Sequence, residues 1–266
     1  MTAGEGDEAG RIVHLGPMTF SDEEIDRYAR QLVLREIGGP GQQKLKAATV
    51  ALVGAGGLGA PAALYLAAAG VGTLRLIDPD TVALSNLQRQ VIYGGGDVGA
   101  FKTDASARRL AGLNPHVAVE RRPVALTLAN AADLLAGCDL VLDGTDDFST
   151  RFAVNAACCA ARVPLISGAI GRWTGQVGLF EGRPCYRCLV PDVPPDAETC
   201  ATVGVVGALG GVIGSMMALE AVKRLTGAGE GLSGRLLIYD GLTANTRTVR
   251  IGADPDCPVC GSCKEA

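Results

Sequence analysis

The chain has 266 residues, enough for one large α/β domain or two small ones. Hydrophobic residues make up 48 % and aromatic residues only 4 %, and such a supply of small and branched aliphatic side chains favours an α/β fold. The formal net charge of −4 argues against nucleic acid as the main partner, because contact with phosphates needs a basic surface.

The N-terminal residues do not look like a targeting segment. Residues 1–16 are rich in glycine and acidic residues and lack the apolar stretch of a signal peptide. We therefore expect a flexible tail over residues 1–20, a single domain over residues 21–266, and a cytoplasmic location. In that compartment, paired cysteines favour metal binding over disulfides.

Helices and strands alternate through the first two thirds of the sequence. Ser21 and Glu24 fit a capping box, which predicts a first helix, and the Gly-Gly-Pro-Gly run at 38–41 is predicted to end it. Alternation of this kind builds a parallel, doubly wound, Rossmann-like sheet. Helices are predicted over residues 22–36, 59–69, 102–111, 129–136 and 148–161, and strands over 49–53, 73–77, 116–120, 139–142 and 164–166.

The pattern changes after residue 167. Three further strands are predicted over residues 176–180, 235–239 and 246–251, and they are expected to extend the sheet in antiparallel fashion. The predicted fold class is thus a mostly parallel sheet with an antiparallel C-terminal extension.

Residues 199–219 form an uncharged run of 21 residues that imitates a membrane span. The pairs Gly207/Gly211 and Gly210/Gly214 have the GxxxG spacing of packed membrane helices. The five glycines lower the hydrophobicity, however, and no basic or aromatic anchors flank the run. We therefore predict a buried helix with close packing at its glycines, and no membrane partner.

The run at residues 54–59, here called the glycine loop, carries a phosphate-binding pattern. Gly54, Gly56 and Gly59 are in G-x-G-x-x-G register between a strand and a helix, where backbone N–H groups can approach phosphate. Asp78 lies 19 residues beyond Gly59, at a strand end, where a carboxylate can bind ribose hydroxyls. Nucleotide binding is predicted, but these features do not choose between NAD and ATP.

The charged residues that follow favour phosphoryl chemistry. Arg89 and Lys102 lie 13 residues apart, and two fixed cations beside a phosphate loop can stabilise a reacting phosphoryl group. Taken alone, each would be read as a solvated surface residue. Asp143-Gly-Thr-Asp-Asp147 follows the fourth strand, and a carboxylate there suits the Mg²⁺ that accompanies ATP. Asp147 or Ser149 can equally be a turn or helix cap.

Four cysteines occur in two Cys-x-x-Cys pairs, the spacing of a tetrahedral Cys₄ zinc site. The pairs are Cys185 with Cys188 and Cys257 with Cys260, and such a site, with no open position, is structural. Cys263 is a rival ligand, because Cys260-Gly-Ser-Cys263 has the same spacing.

The remaining cysteines divide into two groups. Cys200 precedes the uncharged run, and a helix start lowers a thiol pKa, so the residue is either reactive or an inert buried thiol. Cys138, Cys158 and Cys159 fall on apolar strand or helix positions and are predicted to lie in the core.

Several motifs occur together in one order, and this combination identifies a family. The chain resembles the MoeB/ThiF family, bacterial relatives of ubiquitin-activating enzymes, over residues 21–260. Such enzymes use ATP to adenylate the C-terminal carboxylate of a ubiquitin-like sulfur-carrier protein that ends in Gly-Gly. The motifs are Tyr28-Ala-Arg-Gln31, the glycine loop, Leu84-Ser-Asn-Leu-Gln-Arg-Gln90, Lys102, Thr145-Asp146, Cys185-Tyr-Arg-Cys188 and Cys257-Pro-Val-Cys260.

The resemblance implies roles for individual residues. Arg30 resembles the arginine that reaches the active site of the partner subunit, which implies a homodimer. Cys200 resembles a cysteine that takes up the activated carrier or sulfur, and family position prefers Cys260 over Cys263 as a zinc ligand. Asp147 departs from the family, which often has Asn there. For ATP, the implied residues are Gly54, Gly56, Gly57 and Gly59 in the loop, Asp78 for ribose, Asn86, Arg89 and Lys102 for phosphates, and Asp146 for Mg²⁺.

The source of sulfur and the pathway are not specified by the sequence. The chain ends soon after Cys260, so no rhodanese-like sulfurtransferase domain is expected, and a persulfide on another protein is the expected donor. Molybdopterin, thiamine and thiolated tRNA are all compatible products.

Two other functions would explain part of the sequence. An NAD-dependent oxidoreductase explains the glycine loop and Asp78 but leaves Arg89, Lys102 and the cysteine pairs unexplained. A non-enzymatic scaffold that binds zinc or nucleotide explains the cysteines, but a decayed site would not be expected to retain Arg89, Lys102 and Asp146.

Overall fold

The computed structural model describes residues 20–194 and 204–261. Residues 1–19 of the predicted tail, Cys200 and Cys263 lie outside these ranges. The helices are α1 (Asp22–Leu32), α2 (Gly38–Ala47), α3 (Gly59–Ala69), α4 (Lys102–Leu113), α5 (Ala131–Leu135), α6 (Phe148–Ala161), α7 (Tyr186–Leu189) and α8 (Gly207–Thr226). The strands are β1 (Thr49–Val53), β2 (Thr73–Ile77), β3 (Ala118–Arg122), β4 (Leu140–Asp143), β5 (Leu165–Gly171), β6 (Thr174–Phe180), β7 (Arg235–Asp240) and β8 (Asn245–Arg250).

The eight strands form one sheet in the order β3-β2-β1-β4-β5-β6-β7-β8. The first five strands pair in parallel, and β6, β7 and β8 continue the sheet in antiparallel fashion. The predicted fold class is therefore confirmed. The carboxyl ends of β1, β2 and β4 meet at one edge of the sheet, the position where open α/β sheets bind ligands.

Successive residues of β1 face opposite sides of the sheet and enter two separate cores. Val50 and Leu52 pack with α3, α4 and α8, whereas Ala51 and Val53 pack with α5 and α6. Because a strand covered on both faces has no polar side, β1 is apolar at almost every position. The helices thus cover both faces of the sheet, as a doubly wound fold requires.

The helices before β1 differ from the prediction. The capping box is confirmed, because the Glu24 N–H donates to Ser21 Oγ at 3.2 Å and the Ser21 N–H donates to Glu24 Oε2 at 2.9 Å. The first helix ends at Leu32 instead of residue 36, and Gly38 begins α2 instead of ending helical structure. Pro40 lies in the first turn of α2, where a missing N–H costs no hydrogen bond.

The third strand begins two residues later than predicted. Asn114 holds the intervening chain in a turn, because its Oδ1 accepts from the His116 N–H at 3.2 Å and its carbonyl accepts from the Val117 N–H at 3.3 Å. Pairing with β2 then starts at Ala118, which lies opposite Thr73.

The long helix α8 is displaced from the predicted run and covers residues 207–226 instead of residues 199–219. It is capped at its C-terminus by Gly227, whose φ of 82° is left-handed. The prediction took the bounds of the helix from the stretch without charged residues. The helix instead continues through Glu220, Lys223 and Arg224, which lie in its last two turns. No helix among the described residues has the length and apolarity needed to cross a membrane.

Glycines of α8 permit close packing, as predicted, and the structure shows that Gly210 and Gly214 pack on the glycine loop. A Cβ on Gly210 would lie 2.7 Å from the Gly57 carbonyl oxygen, and one on Gly214 would lie 2.5 Å from that of Leu58. A Cβ on Gly211 would meet nothing within 4 Å, because this residue faces away from the loop.

Gly210→Ala is expected to destabilise the protein by about 1–3 kcal/mol, because the methyl group displaces the glycine-loop backbone. The matched variant Gly211→Ala is expected to be neutral or to stabilise the helix by up to about 1 kcal/mol, since alanine is the better helix former. Urea denaturation of both variants measures the difference in the free energy of unfolding. Equal stabilities of the two variants would contradict the packing described here.

The two edges of the sheet are formed by β3 and β8. All six residues of β8 are exposed, including Arg247 and Arg250. In β3, Arg121 and Arg122 are exposed, and Glu120 is half-buried.

Candidate functional site

A cavity of about 640 Å³ opens at the carboxyl ends of β1, β2 and β4. We call it the nucleotide cavity. It brings together most of the predicted nucleotide-site residues, whereas Gly59 lies behind it at the first position of α3. The predicted residues that line it are Gly54, Gly56, Gly57, Asp78, Asn86, Arg89, Lys102 and Asp146.

The glycine loop adopts a shape that only glycine allows at two positions. Gly54 has a φ of 87°, in the left-handed region. A Cβ on Gly59 would collide with the Gly54 carbonyl oxygen. The loop is also fixed from below, because the buried Tyr93 hydroxyl donates to the Ala55 carbonyl at 2.7 Å. These contacts fix the loop backbone beside the cavity, where its N–H groups can approach a phosphate.

Asp78 is buried and firmly held at the end of β2. Its Oδ2 accepts from the Ala55 N–H at 2.7 Å, and its Oδ1 accepts from the Asp80 N–H at 2.8 Å. Burial raises the pKa of Asp78, while the Lys102 ammonium and these two hydrogen bonds act in the opposite direction. Each carboxylate oxygen keeps a further lone pair, so Asp78 can still accept from ribose hydroxyls.

The two predicted cations lie on the wall of the cavity. The Lys102 Nζ is buried and lies 2.7 Å from Asp80 Oδ2 and 3.9 Å from Asp78 Oδ2. The Arg89 Nη1 donates to the Ser85 carbonyl at 3.0 Å, which aligns the side chain along the cavity. Asp80 was not singled out from the sequence, although its position two residues after Asp78 was the available signal.

The two aspartates that follow β4 have different environments. Asp146 is exposed and lines the cavity, so its carboxylate is available to a cation. Asp147 caps α6, with Oδ2 accepting from the Thr150 N–H at 2.7 Å and from the Thr150 hydroxyl at 2.6 Å. The Thr150 hydroxyl and, with it, the backbone N–H groups of the cap hold the pKa of Asp147 below its ordinary value. Asp147, which departs from the family pattern, therefore serves as a helix cap.

Asp143 is fully buried and faces the turn that follows it. Its Oδ1 accepts from the Thr145 N–H at 3.0 Å and from the Thr145 hydroxyl at 2.7 Å. Burial raises the pKa of Asp143, and the nearby Arg151 guanidinium opposes this effect. Arg151 lines the same cavity from the first turn of α6, and sequence reasoning gave it no role. Its only sequence signal was a cation four residues after Asp147.

The two Cys-x-x-Cys pairs meet although they lie far apart in the chain. The Sγ atoms of Cys185, Cys188, Cys257 and Cys260, here called the cysteine cluster, all lie within 4.8 Å of one another. Cys185 Sγ is 3.6 Å from Cys257 Sγ, and Cys188 Sγ is 3.3 Å from Cys260 Sγ. Tetrahedral zinc with Zn–S bonds of about 2.3 Å separates its sulfur ligands by about 3.8 Å. The donor set and its spacing therefore fit Zn²⁺.

The thiols of the cluster have different surroundings, because burial raises the pKa of Cys188 and of Cys260, whereas the pKa of Cys185 is lowered. Hydrogen bonds from Cys159 and from the Asn155 amide lower the pKa of Cys185, and the Asp254 N–H lies 3.5 Å from Cys188 Sγ. Cys138 and Cys158 are buried in the core, as predicted. Cys159 departs from the prediction, because it packs against the cysteine cluster.

Arg30 does not line the nucleotide cavity of its own chain. It is exposed beside an open groove of about 550 Å³ between α1, α3 and α8. The groove is lined in part by Leu34, Tyr65 and Leu219, which are 46 %, 59 % and 60 % exposed. Arg30 is thus separated from the other predicted site residues and lies on an apolar surface.

The chain resembles known sequences over most of its length. Residues 28–259 match the ThiF family. The chain belongs to the ThiF family. It is 48 % identical over 253 residues to the sulfur carrier protein adenylyltransferase of Thermus thermophilus, a match that covers 92 % of this chain and 93 % of the relative. It is 46 % identical to the molybdopterin-synthase adenylyltransferase of Escherichia coli, over 91 % of this chain and 98 % of the relative.

Solved structures of ThiF-like fold agree with the architecture. The crystal structure of Escherichia coli MccB with ATP has a TM-score of 0.78 and 25 % sequence identity, covering 89 % of this chain and 75 % of that chain.

Proposed function

We propose that this ThiF-family chain is an ATP-dependent adenylyltransferase that activates the C-terminal Gly-Gly carboxylate of a ubiquitin-like sulfur-carrier protein. The observation that carries this proposal is the placement of Arg89 and Lys102 beside the glycine loop, in one cavity with Asp78 and Asp146. The names of the relatives, which are adenylyltransferases of a sulfur carrier and of molybdopterin synthase, support the reaction and the class of substrate.

The chemistry is an in-line displacement at the α-phosphorus of ATP. The carrier carboxylate forms a new P–O bond, and pyrophosphate leaves with the electrons of the bond between the α- and β-phosphates. Arg89, Lys102, Asn86 and the glycine-loop N–H groups counter the negative charge that spreads over the phosphoryl oxygens. Asp78 orients the ribose, so catalysis consists of positioning and electrostatic stabilisation.

Two metal ions belong to the proposal. Asp146 would hold Mg²⁺, since an exposed carboxylate in a phosphate-binding cavity is the ligand that Mg²⁺ prefers. Bound Mg²⁺ supplies charge neutralisation for the phosphates. Zn²⁺ at the cysteine cluster, held by four sulfur ligands with no open position, is structural.

The acyl-adenylate then requires a sulfur nucleophile. We propose either Cys200, which lies outside the described residues, or a persulfide on another protein. In both cases sulfur attacks the carrier's acyl carbon and AMP leaves. The reaction is proposed to take place in the cytoplasm, and the molybdopterin-synthase relative makes molybdopterin synthesis the first pathway to test.

We propose a homodimer in which Arg30 of each subunit reaches the active site of the other subunit and completes it. The exposed apolar side chains beside Arg30 support a second copy as the occupant of this groove. Mixing the Arg30→Ala and Arg89→Ala variants is expected to restore activity above that of either variant alone, because some mixed dimers contain one intact site. A monomer in analytical ultracentrifugation would contradict the dimer.

Carrier-dependent exchange of labelled pyrophosphate into ATP tests the proposed reaction. Candidate carriers with an intact Gly-Gly terminus are expected to support exchange, and the same carriers lacking the final glycine are not. Exchange that proceeds equally without any carrier would overturn the proposal.

The two other functions suggested by the sequence are less well supported. The family and its named relatives favour adenylyl transfer over an oxidoreductase, and Arg89 and Lys102 both line the cavity. Binding of NAD without binding of ATP would reinstate the oxidoreductase, and inactivity with every Gly-Gly carrier would reinstate the scaffold.

A further inference from the structure

Arg151 lies beneath the Asp146 loop, defined here as residues 144–147, and is 5 % exposed. Its guanidinium donates to the Thr145 carbonyl, which belongs to this loop, and to the Gly168 carbonyl of β5 at 2.8 Å. It also donates to Ser167 Oγ at 3.4 Å and to the Tyr186 hydroxyl at 3.5 Å. The hydrogen bonds of a buried cation are thus used to fix a loop that lines the nucleotide cavity.

Tyr186 connects this arginine to the cysteine cluster. It is buried, and it follows Cys185 directly in the chain. The Tyr186 N–H donates to Asn155 Oδ1 at 2.8 Å, and the Asn155 amide donates to Cys185 Sγ at 3.5 Å. Asn155 lies one helical turn after Arg151 on α6, so both residues point to the same side of the helix.

We propose that Asn155, Tyr186 and Arg151 are positioning residues that form a strut from the cysteine cluster to the Asp146 loop. Through this strut the zinc site determines how well Asp146 is placed for Mg²⁺, besides stabilising the fold. The inference rests on the proposed nucleotide site and deepens it. The inference rests on an unbroken path of contacts. Hydrogen bonds and one peptide bond join Cys185 Sγ to the Thr145 carbonyl through the three residues of the strut.

A contrasting interpretation is that Arg151 serves only to neutralise the buried Asp143. The contacts argue against this, because the four hydrogen bonds described above go to two backbone carbonyls and two hydroxyl groups. If Arg151 served only to neutralise Asp143, a substitution at Asn155 would not affect the cavity. Asn155 is fully buried and is not among the residues that line the cavity. The two interpretations therefore differ at Asn155.

The test uses the zinc-loaded full chain and two variants that cut the strut at different points. Tyr186→Phe removes only the hydroxyl, and Asn155→Ala removes both the contact with the cluster and the acceptor of the Tyr186 N–H. Binding of α,β-methylene-ATP, which cannot release pyrophosphate, is measured by calorimetry over a series of Mg²⁺ concentrations. Each variant is expected to raise the Mg²⁺ concentration for half-saturation about fivefold, because a break in the strut should weaken the support of the Asp146 loop by about as much as one ordinary hydrogen bond. The double variant is expected to show no further increase, because both changes break one pathway.

Asn114→Ala is the matched control. Asn114 is also fully buried, and its amide donates to Ala67 O at 2.7 Å and to the Tyr28 hydroxyl at 2.8 Å, away from the nucleotide cavity. This variant is expected to lose stability without any change in Mg²⁺ dependence.

The possible outcomes separate the strut from the proposed function. Unchanged Mg²⁺ dependence in both strut variants, an effect of Tyr186→Phe alone, or fully additive effects would overturn the strut. An equal shift in Asn114→Ala would also overturn it, because destabilisation would then be the cause. If the unsubstituted protein does not bind the nucleotide at any Mg²⁺ concentration, the proposed function itself fails.

Discussion

Replacing Arg89 with alanine is expected to slow carrier-dependent pyrophosphate–ATP exchange by about 100- to 1000-fold, the usual effect of removing one preorganised donor from a transition state. Arg89 lines the nucleotide cavity close to Gly57, and its contact with the Ser85 carbonyl fixes its direction. Charge on the phosphoryl oxygens changes most in the transition state. The loss should therefore be found mainly in kcat, with a smaller change in the KM for ATP.

Two variants control this experiment. Arg89→Lys keeps the charge but not the planar guanidinium, and it is expected to retain an intermediate rate. Arg108→Ala removes an exposed arginine that pairs with Asp97 at 2.9 Å and does not line the cavity, and it is expected to react normally. If exchange by Arg89→Ala is undiminished, the proposed mechanism is wrong.

Cys257→Ser is expected to release the metal and to lower the melting temperature by roughly 10 °C or more. In a chain of this size 1 kcal/mol corresponds to about 2–4 °C, and a structural zinc site contributes well above that amount. The cluster joins residues that are 72 positions apart, so its loss frees the chain after β8 from α7. Differential scanning calorimetry and metal analysis of the purified protein measure the two effects.

Two other cysteines provide matched controls for the metal site. Cys158→Ser replaces a thiol of α6 that is buried in the core, and it is expected to keep the metal with a small loss of stability. Cys263→Ser is expected to keep both metal and stability, because Cys260 already completes a set of four thiols. Loss of metal from Cys263→Ser, or full metal content in Cys257→Ser, would contradict the assignment of the cluster.

The sequence best predicted the helices and strands that have a uniform environment along their length. Strands β1 and β2 and helix α6 have the predicted bounds, because apolar runs between turn residues mark a buried strand or helix. Helix α2 was missed, because three glycines and a proline oppose helix formation locally. Its stability comes from packing of residues such as the fully buried Leu45.

Some residues of the candidate site could be predicted from the sequence, and others could not. Asp78 and Asp146 follow strand ends in the sequence, so the parallel sheet alone places them at one edge. Arg151 could not be assigned in this way, because its role depends on Gly168 and Tyr186, which other elements bring to it. Arg30 also depends on tertiary structure, since only the folded chain shows that it lies on an apolar groove.

The order of the strands also bears on how the protein avoids self-association through its backbone. The apolar strands β1, β4 and β5 lie in the interior of the sheet, and the antiparallel extension separates β5 from the outer edge. The two outermost strands carry exposed arginines, namely Arg121 and Arg122 on β3 and Arg247 and Arg250 on β8. Exposed charged side chains on an edge strand disfavour the addition of another strand to its open backbone groups. The segments with the greatest tendency to form amyloid-like pairs are therefore kept away from the only positions where a foreign strand could add to the described sheet.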